Sequence, residues 1–283
     1  MENVNSKKIL IIGSDAYLAR GMSDCFPGYE VDSIARADTD KNFNLFKQYD
    51  AVINFTIQPE FSQRNLTASE LIDAQIAKCL VGSHTKLVML SSRKVYGSHE
   101  NADIIKETDN LDPQDFYAKN KVKAEQALQM ILPNRHLILR IANILGEPVN
   151  RIGYKTFMGW ISESILATGK LTVTENRKTK KDFITRNYLH RVMFSLIDKE
   201  ATGIFNVGAG FALTLEDLLT KIAGEKNIIF EDIQPPRDQF ILNTDKLHHY
   251  MQPFTHSELE KHCSLNKGIL MNFCKLKKTQ EKA

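Results

Sequence analysis

Tyr117 and Lys121 stand four positions apart, at the head of a stretch, Val122 to Leu132, that has helical composition and neither Gly nor Pro. On a helix, positions i and i+4 share a face, so a phenol and an ammonium there can point into one site. A phenol with its ordinary pKa of about 10 is a poor acid or base near neutrality. A fixed cation beside it favours the phenolate. Such a pair can move a proton to or from a substrate oxygen. The spacing alone is also that of ordinary surface neighbours, so the elements around it must decide.

Those elements begin at Lys8-Ile9-Leu10-Ile11-Ile12-Gly13, a continuous apolar run that reads as a buried parallel strand. Ser14-Asp15-Ala16-Tyr17-Leu18-Ala19-Arg20 follows as a tight turn, leading into an expected helix to about Cys25. Strand, turn and helix form the phosphate-binding unit of a dinucleotide fold, in which the helix N-terminus meets a pyrophosphate. Gly13, Ala16 and Ala19 occupy positions where such a turn has three glycines. Tyr29 to Arg36 reads as the second strand. An acidic residue at its end would bind the adenosine ribose of NAD. Arg36 suits a 2′-phosphate instead and favours NADP, with Asp38 and Asp40 as alternative contacts to adenine or ribose.

Asp50 to Ile57 is the next strand with its exit at Phe55 and Thr56, and Ala68 to Val81 a long amphipathic helix. Lys86 to Ser92 is a buried strand ending in hydroxyls, and His136 to Gly146 another, with a polar exit at Asn143. Residues just past the carboxyl ends of parallel strands line the ligand crevice. Ser92 is therefore placed to bond a substrate oxygen, although a serine there also serves as a turn former or cap. The alternation of strands and helices predicts a doubly wound parallel α/β sheet, a Rossmann fold. Beyond it the regularity fades. Tyr154 to Ala167 reads as a helix with Trp160 as a packing residue, Tyr188 to Ile197 as another, and Ser257 as the start of a last one.

Composition sets bounds on function. The 283 residues are 42% hydrophobic and 25% charged, with a net charge of +3. That balance suits a globular chain with an anionic small ligand and does not argue for nucleic acid. No apolar run approaches the ~20 residues of a membrane span, and the polar start gives no signal peptide, so a cytoplasmic location is expected. The four cysteines are scattered, which predicts reduced thiols. His248, His249, His256 and His262 lack metal-ligand spacing and are expected at the surface, with no metal.

In order and spacing these pieces resemble the extended short-chain dehydrogenase/reductase family, the sugar-nucleotide epimerases, dehydratases and 4-keto reductases. Ile9 to Ala19 looks like its cofactor turn. Asp50 to Thr56 is similar to its D-x-V-I-N-x-A strand, and Ser91 to Gly97 to its S-S-x-x-V-Y-G segment. Tyr117 to Lys121 with Ala124-Glu125 looks like Y-x-x-x-K-x-x-x-E, and Leu139 to Gly146 like L-R-x-x-N-x-x-G. Lys181 to Ile184 and Phe205 to Gly208 are similar to R-D-F-I and F-N-V-G.

The resemblance implies that Tyr117 is the general acid/base, that Lys121 holds the nicotinamide ribose and activates the tyrosine, and that Ser92 orients the substrate oxygen. It implies a cofactor site of Gly13, Asp15, Ala16, Tyr17, Leu18, Arg36, Phe55 and Thr56 with Tyr117 and Lys121. Asn143 and Arg237 would meet a nucleotide-sugar substrate, Arg237 at its pyrophosphate. Residues 1–146 would form the dinucleotide domain, rejoined by 181–210, with 147–180 and 211–283 as a smaller α/β substrate region. A homodimer through the Ala68 and Tyr117 helices is implied as well. The family's dehydratases carry an Asp-Glu pair just after the serine, where this chain has Arg93-Lys94, which argues against dehydration. The leading expectation is an NADP-dependent reductase of a keto group on a nucleotide-activated deoxysugar. The alternatives are an NAD-dependent 4-epimerase and a non-catalytic NADP-binding sensor.

Overall fold

The computed structural model describes residues 6–148 and 156–280, with side chains at all of these but 40 and 277–280. Six strands form one parallel sheet: β1 (Lys8–Ile12), β2 (Glu30–Ile34), β3 (Ala51–Asn54), β4 (Lys86–Ser92), β5 (His136–Ile141) and β6 (Gly203–Val207). Their order is β2-β1-β3-β4-β5-β6, so the chain reverses direction of travel across the sheet between β1 and β3. In open α/β sheets that switch point, at the carboxyl ends of the strands, is where a ligand crevice forms.

The two faces of the sheet are read directly from alternation in the strands. Ile9 and Ile11 pack into one core together with Val88, Leu137 and Leu139. Leu10 and Ile12 pack into the other with Val52, Leu87, Met89 and Ile138. The first core is covered by α3 (Phe157–Thr168), α4 (Arg186–Asp198), α5 (Leu215–Ala223) and α6 (His256–Gln280). The second is covered by α1 (Ile72–Cys79) and α2 (Phe116–Ile131), which pack on each other. A sheet buried on both faces explains why its strands read as continuous apolar runs.

Short strand pairs tie the chain beyond β5 to this frame. Asn143–Leu145 pairs in parallel with Phe183–Thr185, and Leu171–Val173 with Ile228–Phe230. Ile241–Leu242 pairs with Ile104–Ile105, which brings the loop before it next to the segment that leaves β4. No helix among the described residues is long and apolar enough to cross a membrane, and the four cysteines are free thiols.

Three expectations need correction. The expected helix from the first turn to Cys25 is two short 3-10 helices, Tyr17–Ala19 and Ser23–Cys25. Arg20 is extended between them and Gly21 has a positive φ of 76°, a backbone path that no helix can follow. The helix expected over 68–81 is α1, confined to Ile72–Cys79. The last helix is capped by Thr255 rather than begun at Ser257: Glu258 N donates to Thr255 Oγ1 and Thr255 N to Glu258 Oε2, a reciprocal capping box. The start of the helix expected from Tyr154 lies outside the described residues.

Candidate active site

The crevice at the switch point contains a cavity of about 170 Å³ lined by Leu18, Phe55, Thr56, Leu90, Ser92, Tyr117, Lys121 and Ile141, among others. They arrive from five segments: the first turn (Leu18), the exit of β3 (Phe55 and Thr56), β4 (Leu90 and Ser92), α2 (Tyr117 and Lys121) and β5 (Ile141). Asp115 caps α2 by accepting from Ala118 N at 2.7 Å, which fixes the first turn where Tyr117 sits. The Tyr117 ring packs edge-on against Phe61 at 5.7 Å. Its hydroxyl has no hydrogen bond to a described side chain or backbone group. Lys121 is 3% exposed, and its ammonium donates to the Leu90 carbonyl at 2.6 Å and lies 5.8 Å from the Tyr117 ring centre. Ser92 Oγ accepts from Lys94 N at 3.3 Å, capping the 3-10 turn Arg93–Tyr96. The hydroxyl therefore keeps its own proton to donate into the cavity. Both readings of Ser92, cap and substrate contact, are compatible in one geometry.

Behind the cavity lies a buried polar layer. Asn54 Nδ2 donates to Asp73 at 2.7 Å, while Asn54 Oδ1 accepts from Thr56 N at 3.0 Å and from Thr56 Oγ1 at 2.6 Å. Burial pushes the Asp73 carboxyl above its ordinary range, opposed by the charge of Lys121. This layer fixes Thr56, and Thr56 in turn fixes what can stand opposite. Gly13 has φ 79°, and a Cβ there would lie 2.9 Å from Thr56 Cγ2 and 3.3 Å from Thr56 N. Gly13→Ala is therefore expected to destabilise the fold by about 1–3 kcal/mol and to lower the melting temperature. An unchanged melting temperature would show that the turn relaxes freely.

Of the residues expected at a cofactor, Leu18, Phe55, Thr56, Tyr117 and Lys121 line this cavity; Gly13, Asp15, Ala16, Tyr17 and Arg36 do not. Gly13 N donates to Ile34 O at the end of β2, which places the first turn beside the start of the next. Arg36 is exposed there and forms no ion pair among the described residues. Asp38 takes Lys41 at 3.0 Å, and the side chain of Asp40 lies outside the described set. The turn, floored by the buried Gly13, and the Tyr117/Lys121 cavity fit a dinucleotide laid across the switch point. What they lack is a full helix behind the turn.

The substrate candidates occupy neighbouring spaces. Asn143 lines a larger cavity of about 340 Å³ with Ile144, Phe157, Trp160, Glu175 and Lys181, among others. Ile144 borders both cavities. Trp160, expected to be a packing residue, is partly exposed and forms part of this wall. Asn143 is held by two bonds to the Asp182 carbonyl, each 3.2 Å. The Asp182 carboxylate accepts from Ala209 N and Leu242 N, and burial still pushes its pKa up to about 7. Arg237 is apart from both, exposed, beside a third hollow of about 80 Å³ that shares Thr174 and Glu175 with the second. The three spaces thus run in series from Tyr117 to Arg237.

Sequence reasoning missed the residues that hold this series together. Arg93, 9% exposed, forms a fork on Asp238, with Nη2 to Oδ2 at 2.6 Å, and lies 4.4 Å over the Phe240 ring. It therefore anchors the Pro235–Asp238 loop that carries Arg237 to the end of β4. Lys94 binds Asp115 at 2.9 Å. Glu125 and Arg140 form a buried ion pair, 2.7 Å between Oε2 and Nη2. Arg93, Lys94, Glu125 and Arg140 stand in family-like motifs of the sequence, but the partners each of them takes were not visible there.

Solved structures share this fold at low identity. A UDP-N-acetylglucosamine 4-epimerase from Methanobrevibacter ruminantium, in complex with UDP-N-acetylmuramic acid, superposes with a TM-score of 0.78 at 15% identity, covering 94% of this chain and 99% of that one. A dTDP-glucose 4,6-dehydratase from Bacillus anthracis, in complex with NAD, gives 0.74 at 15%, covering 94% and 97%. A dTDP-4-dehydrorhamnose reductase from Bacillus anthracis, in complex with NADP, gives 0.71 at 15%, covering 92% and 98%. At these identities the likeness is one of fold. No curated protein matches the chain in sequence. The model of the NAD dependent epimerase/dehydratase family, by contrast, matches residues 6–208, from the first strand to the end of the sixth. The chain belongs to that family of NAD(P)-dependent enzymes.

Proposed function

We propose that the protein is an NADP-dependent reductase of a keto group on a nucleotide-activated deoxysugar. The observation that carries this reading is the convergence of Ser92, Tyr117 and Lys121 on one cavity beside Phe55 and Thr56. NADPH, when bound, supplies a hydride to the carbonyl carbon. Gly13 to Leu18 would hold its pyrophosphate, Arg36 its 2′-phosphate, and Lys121 its nicotinamide ribose. Ser92 donates its free hydroxyl proton in a hydrogen bond to the substrate oxygen. Tyr117 gives that oxygen its proton as negative charge develops there. The Lys121 charge, close to the ring and shielded from water, opposes the negative charge left on the phenol oxygen. Asn143 and Arg237 are the substrate contacts in this reading, and the series of three spaces suits a ligand longer than a single sugar.

Arg93 and Lys94 support reduction over dehydration. Both are cations, and both are engaged by carboxylates, so neither serves as the acid and base that loss of water requires. An NAD-dependent 4-epimerase is the second reading, because the same three side chains serve hydride transfer in both directions. A cofactor sensor is disfavoured by the intact trio. We also take the active form to be a homodimer joined through α1 and α2, where the exposed Val81 and Met130 would gain cover.

A binding panel of NAD, NADP and nucleoside diphosphates read by thermal shift tests the ligands, since a ligand of the native state raises its melting temperature. Equal stabilisation by NAD and NADP would remove the NADP assignment. Interconversion of sugar epimers without net cofactor turnover would remove the reductase. Arg36→Glu is expected to weaken NADP binding on the order of tenfold to a hundredfold, the scale of one charge-assisted contact, and to spare NAD. Titration of both dinucleotides against the variant checks this.

A further inference from the structure

We propose that α4 grips the cofactor turn from behind through Arg186 and His190, and that these two positioning residues set dinucleotide affinity. The inference rests on the dinucleotide reading given above. Arg186 and His190 are four residues apart and so share one face of α4. Arg186 Nη1 donates to the Tyr17 carbonyl at 3.4 Å, and His190 Nε2 meets the Leu18 carbonyl at 2.7 Å. Consecutive peptides of the turn are therefore tied to consecutive turns of one helix.

The side chain of Tyr17 is enlisted as well. Its hydroxyl donates to Glu147 Oε2 at 2.5 Å, Arg186 Nη2 donates to Glu147 Oε1 at 3.2 Å, and the Arg186 guanidinium lies 5.0 Å over the Tyr17 ring. The seat for that hydroxyl is shaped by Gly146, where a Cβ would lie 2.6 Å from it. His190 is 2% exposed, and burial lowers its pKa, so the ring is neutral near pH 7. A neutral ring facing a carbonyl through Nε2 carries its hydrogen there. Nδ1 is then left as the acceptor, and Cys25 Sγ stands 3.7 Å from it. The stretch from Tyr17 to Cys25 is thus held at three points by α4.

This grip accounts for how a turn with alanines at 16 and 19, and no α-helix behind it, can keep one shape. A trans peptide points its N–H opposite its C=O. Pinning the Tyr17 carbonyl toward α4 turns the Leu18 N–H away from it, and the Leu18 side chain lines the cavity with Tyr117 and Lys121. Where a glycine-rich turn relies on a following helix for its rigidity, this chain uses side chains from a distant one.

The test is the dissociation constant of NADPH, read by its fluorescence, for the wild-type chain and for Arg186→Gln, His190→Leu and His190→Gln. The ligand-free melting temperature of each is recorded alongside. Arg186→Gln and His190→Leu are expected to weaken NADPH binding about tenfold with little change in the ligand-free melting temperature. His190→Gln keeps an N–H donor for the Leu18 carbonyl and is expected to bind close to wild type. Unchanged affinity in the first two variants overturns the proposal. So does a His190→Gln variant as weak as His190→Leu, and so does loss of cooperative melting without ligand, because a positioning pair is dispensable for folding. A wild-type chain that binds neither NADPH nor NADH would instead overturn the dinucleotide reading itself.

Discussion

Tyr117→Phe is expected to lower turnover of a 4-keto nucleotide sugar on the order of 10²- to 10⁴-fold, the range of a lost general acid, and to leave NADPH affinity near wild type. The change deletes one oxygen. The ring keeps its edge-on contact with Phe61 at 5.7 Å, and the Lys121 ammonium keeps its bond to the Leu90 carbonyl at 2.6 Å. The hydroxyl has no partner among the described residues whose loss would disturb the fold. A fall in turnover with an unchanged melting temperature and an unchanged NADPH titration would assign the proton to this residue. Turnover equal to wild type would sink the mechanism, and a parallel loss of NADPH binding would make Tyr117 a cofactor contact rather than the acid.

The parts of this site that were legible in the sequence are those fixed by local chemistry. β1, β3, β4 and β5 are apolar runs because both faces of each strand are buried, and the residues at their ends follow from the parallel order. The Tyr117/Lys121 spacing is a property of one helix. The turn after β1 was less legible. Gly13 has the positive φ that a tight turn asks of a glycine, but the helix expected behind it depended on Arg20 and Gly21 taking helical angles, and they do not. Least legible were contacts between groups far apart in sequence. Nothing near Arg93 announces Asp238, and nothing near Leu18 announces His190. Such pairs arise from which strand ends and loops the topology brings together, so their chemistry is visible only after the sheet order is known. The result alters the meaning of Arg93 in particular. Its charge argued against dehydration, and the fork on Asp238 adds that it holds the loop that carries Arg237, the proposed substrate contact.

The largest expected effect on stability lies at Glu125. Its carboxylate is 1% exposed and faces an Arg140 side chain that is 4% exposed. Arg140 Nη2 donates to Oε2 at 2.7 Å, and Arg140 Nε reaches both oxygens at 3.2 Å. Ser91 Oγ donates to Oε1 at 2.5 Å. Arg140 Nη1 goes on to Tyr96 Oη at 2.9 Å and the Glu107 carbonyl at 3.0 Å, and Tyr96 Oη donates to Asn206 at 2.7 Å. One network therefore joins α2, β4, β5 and β6 directly below the cavity. Glu125→Ala leaves a buried guanidinium without its counter-charge, and the expected cost is about 3–5 kcal/mol. A urea titration should show the midpoint falling with little change in slope. Replacing both partners together, Glu125→Met with Arg140→Met, removes the unpaired charge and should recover much of that loss. The functional consequence follows from position. Glu125 is one helical turn beyond Lys121, and Ser91 immediately precedes Ser92, so the carboxylate ties together the two halves of the proposed catalytic set. The double variant should accordingly regain stability before it regains turnover, because methionines restore packing and cannot restore the bond to Ser91. A single variant that loses less than about 1 kcal/mol, the usual worth of an exposed pair, would show that water reaches the network and that the alignment of Ser92 with Tyr117 is secured elsewhere.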